Sequence, residues 1–418
     1  MPSILVTGGR PLEGTVRVGG AKNSALKLMA ASLLAPGAST IRNVPDITDV
    51  AVMADVLGQL GAHVRRDDHS VTVDASEITS LETPYELVAQ MRASIVVLGP
   101  LVARFGRARV AMPGGCNIGS RKIDMHVHGL EHLGVEIAFE HGYIEATTPH
   151  GLRGAHVILD FPSVGATENL LMASVLAEGT TVIENAAREP EIGDLVDMLV
   201  GMGARITGRG SSTLEVEGVI ALHPVDHATI GDRIEAGTLL AAGALTGGRV
   251  TVSGFDPAHL ELVLTKMTQA GCSLVVGTDE VTVTRSGPLR ATDVATLPYP
   301  GFPTDMQPQF MAMMSVAEGS CVITENVFES RFMFADELKR MGADIDIEGH
   351  RALVRGVRSL EGAPVRSPDL RGGAALVLAG LAAEGETRVT DIHHIMRGYE
   401  DLPAKLVSLG ADVRVIED

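Results

Sequence analysis

The apolar and polar positions of the chain follow one pattern six times. Each copy begins with a segment that is apolar on nearly every side, continues through a β-rich run and a polar turn, and then reaches an amphipathic segment. The amphipathic segment stops at an apolar–Gly–small triplet, and a pair of strands closes the copy. The glycines lie 73, 69, 68, 71 and 68 residues apart, at Gly61, Gly134, Gly203, Gly271, Gly342 and Gly410. This spacing predicts six repeats of the βαβαββ type, in which glycine ends the second helix.

The two helices predicted in each repeat differ in their surroundings. The first is apolar on all sides, as in 170–177, 310–316 and 374–383, and is therefore expected to be buried all round. The second keeps a polar face. We expect an α/β protein in which helices gather inside and sheets lie outside. Because repeats of about 70 residues are longer than most solenoid repeats, closed groups are favoured over an open filament.

Six such repeats exceed one ordinary core, so we expect two domains of three repeats each. The first strand, at 4–7, and the segment 14–19 precede the first helix and lack a complete repeat of their own. We predict that they pair with the C-terminal half. The predicted domains are 21–229, and 1–20 together with 230–418.

The composition predicts a globular protein of enzyme size whose cores contain small side chains. Of its 418 residues, 45% are hydrophobic, 3% are aromatic, none is Trp and 47 are Gly. The net charge of −18 argues against nucleic acid and anionic membranes as partners, because both are repelled at long range. A local basic site for a small anion is compatible with this charge.

The cysteines and the apolar runs indicate the compartment. Three cysteines without C-x-x-C spacing predict neither a disulfide framework nor a zinc site. The N-terminus does not have the pattern of a secretion signal, and the longest apolar run is far shorter than a membrane span. We expect a cytoplasmic protein, and no obligate protein partner is evident. Cys272 and Cys321 are interpreted as packing residues.

The remaining cysteine lies in a different setting, the stretch 112–124 of the N-terminal domain. Cys116 follows a glycine pair and precedes Arg121 and Lys122. Nearby cations lower the pKa of a thiol and attract anions. The stretch predicts a mobile lid that carries a reactive thiol, and the alternative is a surface loop with an incidental cysteine.

Basic residues recur at the junctions of the repeats, often close to a predicted helix start, where unpaired N–H groups favour anions. They are Lys22, Arg92, Arg121, Arg331, Arg371 and Arg397. Together they predict a bound polyanion. Asp305 lies before a buried helix and is either a helix cap or a catalytic base. Asp369 has the same place in the next repeat, where a structural pair with Arg371 is favoured.

A metal site is not predicted. Asp124, His128 and His132 recur every four residues, but side chains from three successive helical turns cannot converge on one ion. We therefore expect no metal and no cofactor.

Nine motifs, spread from one end of the chain to the other, resemble the UDP-N-acetylglucosamine 1-carboxyvinyltransferase family of enolpyruvyl transferases, which opens peptidoglycan synthesis. They are GGAKNS (19–24), MRAS (91–94), LGPL (98–101), the Cys116 stretch to Asp124, FPSVGAT (161–167), ENAAREP (184–190), GFPTDMQ (301–307), ENVFESRF (325–332) and RGY (397–399). The resemblance implies two inside-out α/β barrel domains of three repeats each, with the active site in the interdomain cleft. It also implies that the substrates are phosphoenolpyruvate and UDP-N-acetylglucosamine.

The resemblance further implies roles for individual residues. Cys116 would protonate C3 of phosphoenolpyruvate, and Asp305 would take the proton of the attacking sugar 3-hydroxyl, with Lys22 and Arg397 also in the catalytic set. The residues implied to bind phosphoenolpyruvate are Lys22, Asn23, Arg121, Arg331, Arg371 and Arg397. Those implied to bind the UDP-sugar are Arg92, Arg121, Lys122, Ile123, Asp124, Met125, Ser163, Val164, Asp305 and Val327.

Two positions bear on whether the resemblance in sequence implies the same activity. Cysteine at 116 predicts inactivation by fosfomycin, an epoxide that alkylates this thiol. Met396 stands where the family usually has a carboxylate beside Arg397. The alternatives are a related enolpyruvyl transferase that acts on a nucleotide such as UMP, and a sensor that binds the UDP-sugar without turnover. The shikimate 3-phosphate enzyme is disfavoured because it is not expected to have the Cys116 stretch.

Overall fold

The computed structural model of the chain describes residues 2–112 and 123–417, apart from the side chains of Ala89, Gln90 and Arg92. The α-helices, in chain order, are α1 (Lys22–Ala31), α2 (Thr48–Gln59), α3 (Tyr85–Gln90), α4 (Leu98–Phe105), α5 (Asp124–His132), α6 (Val164–Ser174), α7 (Pro190–Gly201), α8 (Arg233–Thr246), α9 (Glu261–Gln269), α10 (Gln307–Met314), α11 (Ala335–Arg340), α12 (Leu370–Ala382), α13 (His393–Met396) and α14 (Leu402–Ser408). Short 3-10 helices cover Ser32–Leu34, Arg92–Val97, Pro257–Leu260 and Thr304–Met306.

The strands, in the same order, are β1 (Ser3–Thr7), β2 (Glu13–Arg17), β3 (Ala38–Arg42), β4 (His63–Asp67), β5 (Ser70–Asp74), β6 (Arg107–Ala111), β7 (Glu136–Glu140), β8 (Tyr143–Thr147), β9 (His156–Ile158), β10 (Thr180–Glu184), β11 (Arg205–Thr207), β12 (Thr213–Glu217), β13 (Asp226–Ala228), β14 (Arg249–Ser253), β15 (Ser273–Val276), β16 (Glu280–Thr284), β17 (Val294–Ala295), β18 (Ser320–Thr324), β19 (Asp344–Glu348), β20 (Arg351–Arg355), β21 (Leu360–Glu361), β22 (Pro364–Arg366), β23 (Ala383–Glu384), β24 (Glu386–Thr390) and β25 (Asp412–Ile416).

The chain forms two compact units. Within the described residues, the N-terminal unit consists of 20–112 and 123–230, and the C-terminal unit consists of 2–19 and 231–417. Each unit is an α/β structure with its own hydrophobic core.

Three sheets recur in each unit, and all of them are mixed except β6-β8-β7, which is antiparallel. Those of the N-terminal unit have the strand orders β13-β3-β5-β4, β11-β12-β10-β9 and β6-β8-β7. Those of the C-terminal unit have the orders β22-β24-β1-β25, β15-β16-β14-β2 and β17-β18-β20-β19, and a small pair joins β21 to β23. The four-stranded sheets share one design. One edge strand pairs in parallel with its neighbour, and the other two pairings are antiparallel.

The predicted pairing of the first strand with the C-terminal half is confirmed. Strand β1 lies between β24 and β25, with Ile4 opposite Val389 and Val6 opposite Val413. Strand β2 pairs in parallel with β14. Strand β13 shows the reverse arrangement. It directly precedes α8 of the C-terminal unit in the chain but pairs with β3 of the N-terminal unit. The strand that leads into the first helix of each unit therefore belongs to the other unit.

The two types of predicted helix are present. Helices α6, α8, α10 and α12 are buried along almost their whole length, whereas α9 and α11 keep exposed faces. Strands such as β12 alternate buried and exposed residues, so one sheet face packs on the helices and the other meets solvent. Helices therefore lie inside the sheets of each unit.

The predicted helix-ending glycines have the backbone conformation that this role requires. Their φ angles lie between 89° and 104°, in the region that side-chain-bearing residues rarely adopt; they are Gly61, Gly134, Gly203, Gly271, Gly342 and Gly410. Within the described part of the chain, no helix is long and apolar enough to cross a membrane.

Candidate active site

A cluster of buried charged residues in the C-terminal unit surrounds Asp305. This residue lies in the 3-10 helix that leads into α10. Arg331 Nη2 donates to its Oδ1 at 3.0 Å, and Arg371 Nε donates to its Oδ2 at 3.1 Å. The arginine side chains are 2% and 3% exposed, whereas that of Asp305 is 26% exposed. Both carboxylate oxygens thus accept from buried guanidinium groups, which is not the geometry of a helix cap.

The predicted pairing of Asp369 with the Arg371 side chain is wrong. The Asp369 carboxylate instead caps α12, where its Oδ1 accepts from the backbone N–H of Arg371 at 2.9 Å and of Gly372 at 3.1 Å. Arg371 is the second residue of α12, and its guanidinium turns to Asp305. Capping by Asp369 therefore fixes the backbone from which Arg371 extends.

The other side of Arg371 faces an aromatic ring. Its guanidinium carbon lies 5.1 Å from the ring centre of Tyr399, whose hydroxyl is 2.9 Å from Thr238 Oγ1 and receives Gln309 Nε2 at 3.1 Å. Burial alone would lower the pKa of Arg371, but Tyr399 and the Asp305 carboxylate outweigh it, so the pKa is raised. The guanidinium consequently stays charged in a buried position.

A buried carboxylate anchors the segment that carries Asp305. Glu325 Oε2 accepts from Thr304 Oγ1 at 3.0 Å, and Oε1 accepts from Thr296 Oγ1 and from the backbone N–H of Val327, both at 2.8 Å. Glu325 lies directly after β18. It therefore holds Val327 and the residue before Asp305 through a single side chain.

Not every predicted cation lies at a helix start. Arg331 lies in a turn between β18 and α11, and Arg397 follows the last residue of α13. Arg397 is partly buried.

Burial lowers the pKa of His394, and the charges of His393 and Arg397 lower it further. Met396 is 47% exposed.

In the N-terminal unit, the first turn of α1 carries Lys22 and Asn23. Lys22 Nζ forms a buried ion pair with Asp49 Oδ2 of α2 at 2.8 Å. The carbonyl of Asn23 accepts from Lys27 Nζ at 2.7 Å. This turn has no side-chain cap at its start, and the ion pair with Asp49 ties it to α2.

A second acid supports the same turn. Ser24 Oγ donates to Asp194 Oδ2, and the other oxygen of Asp194 lies 2.7 Å from His227 Nε2. The backbone N–H of Ile230 also donates to Asp194, at 3.2 Å. Asp194 thus links α1, β13 and the last residues of the unit.

Sequence reasoning gave no role to Lys27 or Glu168, which lie inside this unit. Glu168 on α6 is fully buried, and its oxygens have no hydrogen-bond partner among the described residues; Lys27 Nζ lies 3.6 Å from Oε1. Burial raises the pKa of Glu168 to about 7, with Glu191 adding to the rise and Lys27 opposing it. A charged residue within an otherwise apolar helix was the available signal.

The other described residues predicted to bind the sugar nucleotide lie at two neighbouring helix starts. Ile123, Asp124 and Met125 open α5, where Asp124 is exposed. Ser163 caps α6 by accepting from the N–H of Ala166 at 3.3 Å, and Val164 is its first residue. The two helices are joined by His126 and Asn169, whose side chains are 2.8 Å apart. Capping accounts for the local role of Ser163.

Cys116, Arg121 and Lys122 lie outside the described residues, as does the side chain of Arg92, so their roles stay predictions. The interpretation of Cys272 and Cys321 as packing residues is confirmed. Both thiols are buried, and burial raises the pKa of each to about 11. Such thiols are unreactive at neutral pH.

Comparison with known proteins places the whole chain in one family. The profile of the EPSP synthase (3-phosphoshikimate 1-carboxyvinyltransferase) family matches residues 6–406. The UDP-N-acetylglucosamine 1-carboxyvinyltransferase of Corynebacterium jeikeium is 54% identical over 415 residues, which cover 99% of both chains. The protein of the same name from Trichlorobacter lovleyi is 50% identical and is covered in full.

Solved structures agree with this result. The enolpyruvyl transferase NikO from Streptomyces tendae superposes with a TM-score of 0.88 at 31% identity, over 99% of this chain and 98% of NikO. The chain therefore belongs to the UDP-N-acetylglucosamine 1-carboxyvinyltransferase family of enolpyruvyl transferases.

Proposed function

We propose that the protein transfers the enolpyruvyl group of phosphoenolpyruvate to the 3-hydroxyl of UDP-N-acetylglucosamine and releases phosphate. The observation that carries the proposal is the pair of buried guanidinium groups on Asp305, in a chain whose full-length relatives have this activity in their name. Buried arginines suit the recognition of phosphate and carboxylate groups, and a carboxylate beside them suits removal of a hydroxyl proton.

The reaction proceeds by addition and then elimination. Cys116 gives a proton to C3 of phosphoenolpyruvate, which makes C2 electrophilic. The sugar 3-hydroxyl attacks C2 while Asp305 accepts its proton. A proton of C3 then passes to the Cys116 thiolate as phosphate leaves C2, which restores the double bond and leaves the enolpyruvyl ether. Lys22 and Arg397 complete the catalytic set by stabilising the anionic groups.

The substrates are held by two sets of side chains. The phosphoenolpyruvate set consists of Lys22, Asn23, Arg121, Arg331, Arg371 and Arg397. The sugar nucleotide set consists of Arg92, Arg121, Lys122, Ile123, Asp124, Met125, Ser163, Val164, Asp305 and Val327. The fixed cations supply the positive charge that the developing transition state requires, so the reaction as proposed uses no metal and no cofactor.

The proposed reaction indicates the pathway and the compartment in which the protein would act. Transfer to UDP-N-acetylglucosamine is the first committed step of peptidoglycan synthesis, so the protein would act in the cytoplasm in support of cell wall growth, cell shape and division.

Phosphate release from phosphoenolpyruvate tests the proposal. We expect release to require UDP-N-acetylglucosamine, to be absent with UMP, and to fall by at least about a hundredfold in Cys116→Ser, which lacks an acid of comparable strength. Faster release with UMP would favour the nucleotide-directed alternative. Tight binding of UDP-N-acetylglucosamine without any release would favour the sensor.

A further inference from the structure

The two arginines around Asp305 share a single carboxylate. Arg331 and Arg371 each contact a different oxygen of Asp305, at 3.0 and 3.1 Å. Both arginine side chains are almost completely buried. Both buried guanidinium groups therefore depend on the one carboxylate that they contact, and a buried ion pair depends strongly on its partner.

The guanidinium groups also retain unused donors. Arg331 Nε and Arg371 Nη1 are buried and have no acceptor in hydrogen-bond geometry among the described residues. A buried N–H group without an acceptor is costly, and it is commonly satisfied by a ligand or an ion. The cluster thus has unused hydrogen-bond donors on two buried cations, which favours an oxyanion.

The backbone around the cluster is fixed, whereas the Asp305 side chain is partly exposed. Thr304 is tied to Glu325, and Asp369 caps the helix that carries Arg371. Asp305 is the least buried member of the cluster. Rotation of its side chain towards solvent would break both ion pairs without moving the arginines.

We propose that Asp305 serves first as the counter-ion of Arg331 and Arg371, and becomes the base only when an oxyanion of the substrate replaces it. This inference rests on the proposed function. Phosphate or carboxylate oxygens of phosphoenolpyruvate accept the guanidinium N–H groups, and the contacts to Asp305 break. The carboxylate, no longer neutralised by two cations, then accepts the proton of the sugar hydroxyl. Deprotonation of the sugar thus depends on the presence of the second substrate.

The inference predicts that removal of the base strengthens anion binding. Calorimetric titration with inorganic phosphate would compare the wild type with Asp305→Asn and Asp305→Ala. Because phosphate no longer competes with an internal carboxylate, we expect the dissociation constant to fall on the order of tenfold in both variants. Adding Arg331→Gln to Asp305→Asn should abolish this gain.

A matched control is provided by Arg355, which contacts Asp344 at 2.9 Å and Asp346 at 2.7 Å on the exposed surface. The variant Asp344→Asn/Asp346→Asn should bind phosphate as the wild type does. Equal or weaker phosphate binding by both Asp305 variants would overturn the proposal, as would an equal gain in the control.

Thermal unfolding provides a second measurement. Without phosphate, Asp305→Asn should unfold at a lower temperature than the wild type, because two buried cations lose their partner. Millimolar phosphate should raise the unfolding temperature of the variant more than that of the wild type. An equal rise in both proteins would contradict the proposal. Neither measurement needs turnover, so failure of the enolpyruvyl transfer assay and failure of this inference are separate results.

Discussion

The carboxyl group of Glu168 couples the pH of the solution to the stability of the N-terminal unit. Its pKa is about 7 in the folded chain, against an ordinary value of 4.5. Between these pH values the folded state binds more protons than the unfolded state, so stability falls as pH rises. The contribution present below pH 4.5 is lost by pH 7 and amounts to about 3 kcal/mol.

The variant Glu168→Gln removes this titration. We expect its urea midpoint to change less between pH 5 and pH 8 than that of the wild type. Glu178→Gln, at an exposed position, serves as the control and should keep the slope of the wild type. Identical slopes in wild type and Glu168→Gln would show that the buried carboxyl does not titrate in this range.

At the scale of the element, the second helix of each repeat ends at a glycine in the left-handed backbone conformation. Gly342 has φ of 89°, and a side-chain carbon added at this position would meet no neighbouring atom within 4 Å. Gly342→Ala therefore introduces backbone strain without a steric clash, and we expect a loss of about 1–2 kcal/mol in the free energy of unfolding.

Gly58 is the matched control for this prediction. It lies within α2, is exposed, and also has open space around it. Gly58→Ala should stabilise the protein by about 0.5–1 kcal/mol, because alanine restricts the unfolded chain and favours the helix. Urea unfolding of both variants measures the two effects. The same sign for both would refute the assignment of a left-handed conformation at 342.

Periodic patterns predicted the elements well because each depends on neighbouring residues. The triplet glycines gave the helix ends, and the incomplete first repeat gave the pairing of β1. The partner of Arg371 was not predictable in this way. The sequence favoured Asp369, two residues away, but the guanidinium reaches Asp305, 66 residues earlier. The partner of a long side chain depends on how the helices pack against each other. The spacing of neighbouring residues in the sequence carries no information on that packing.

The same limit applies to the residues behind the candidate site. Lys27 and Glu168 are far apart in the sequence but 3.6 Å apart in the N-terminal unit. The motifs identified the family and its expected residues, including Glu325 within a motif. They did not show that Glu325 anchors Thr304 and Val327, because that requires β18 and the start of α10 to lie side by side.

At the scale of the whole molecule, the C-terminal unit depends on the first few residues of the chain. Strand β1 is hydrogen-bonded on both sides, and Ile4 and Val6 are buried in the core. Deletion of residues 2–8 removes an internal strand and leaves β24 and β25 with unpaired edges. We expect this variant to be insoluble or to lose the protease resistance of the C-terminal unit.

Deletion of residues 417–418, which lie beyond β25, is the control and should leave solubility unchanged. A synthetic peptide of residues 1–12, added during refolding, should partly restore the truncated protein by replacing the missing strand. A truncated protein that folds like the wild type without the peptide would contradict the assignment of β1 as an essential internal strand.

The position of β1 also affects the timing of folding during synthesis. The ribosome makes β1 before every other described strand, whereas β24 and β25, on which it pairs, come last among the described strands. The N-terminal unit, by contrast, is complete once residue 230 has left the ribosome. Because domains fold as units during translation, β1 must wait unpaired while the other unit folds. The nascent chain thus carries an apolar strand for most of its synthesis, which makes its start a natural place for a chaperone to act.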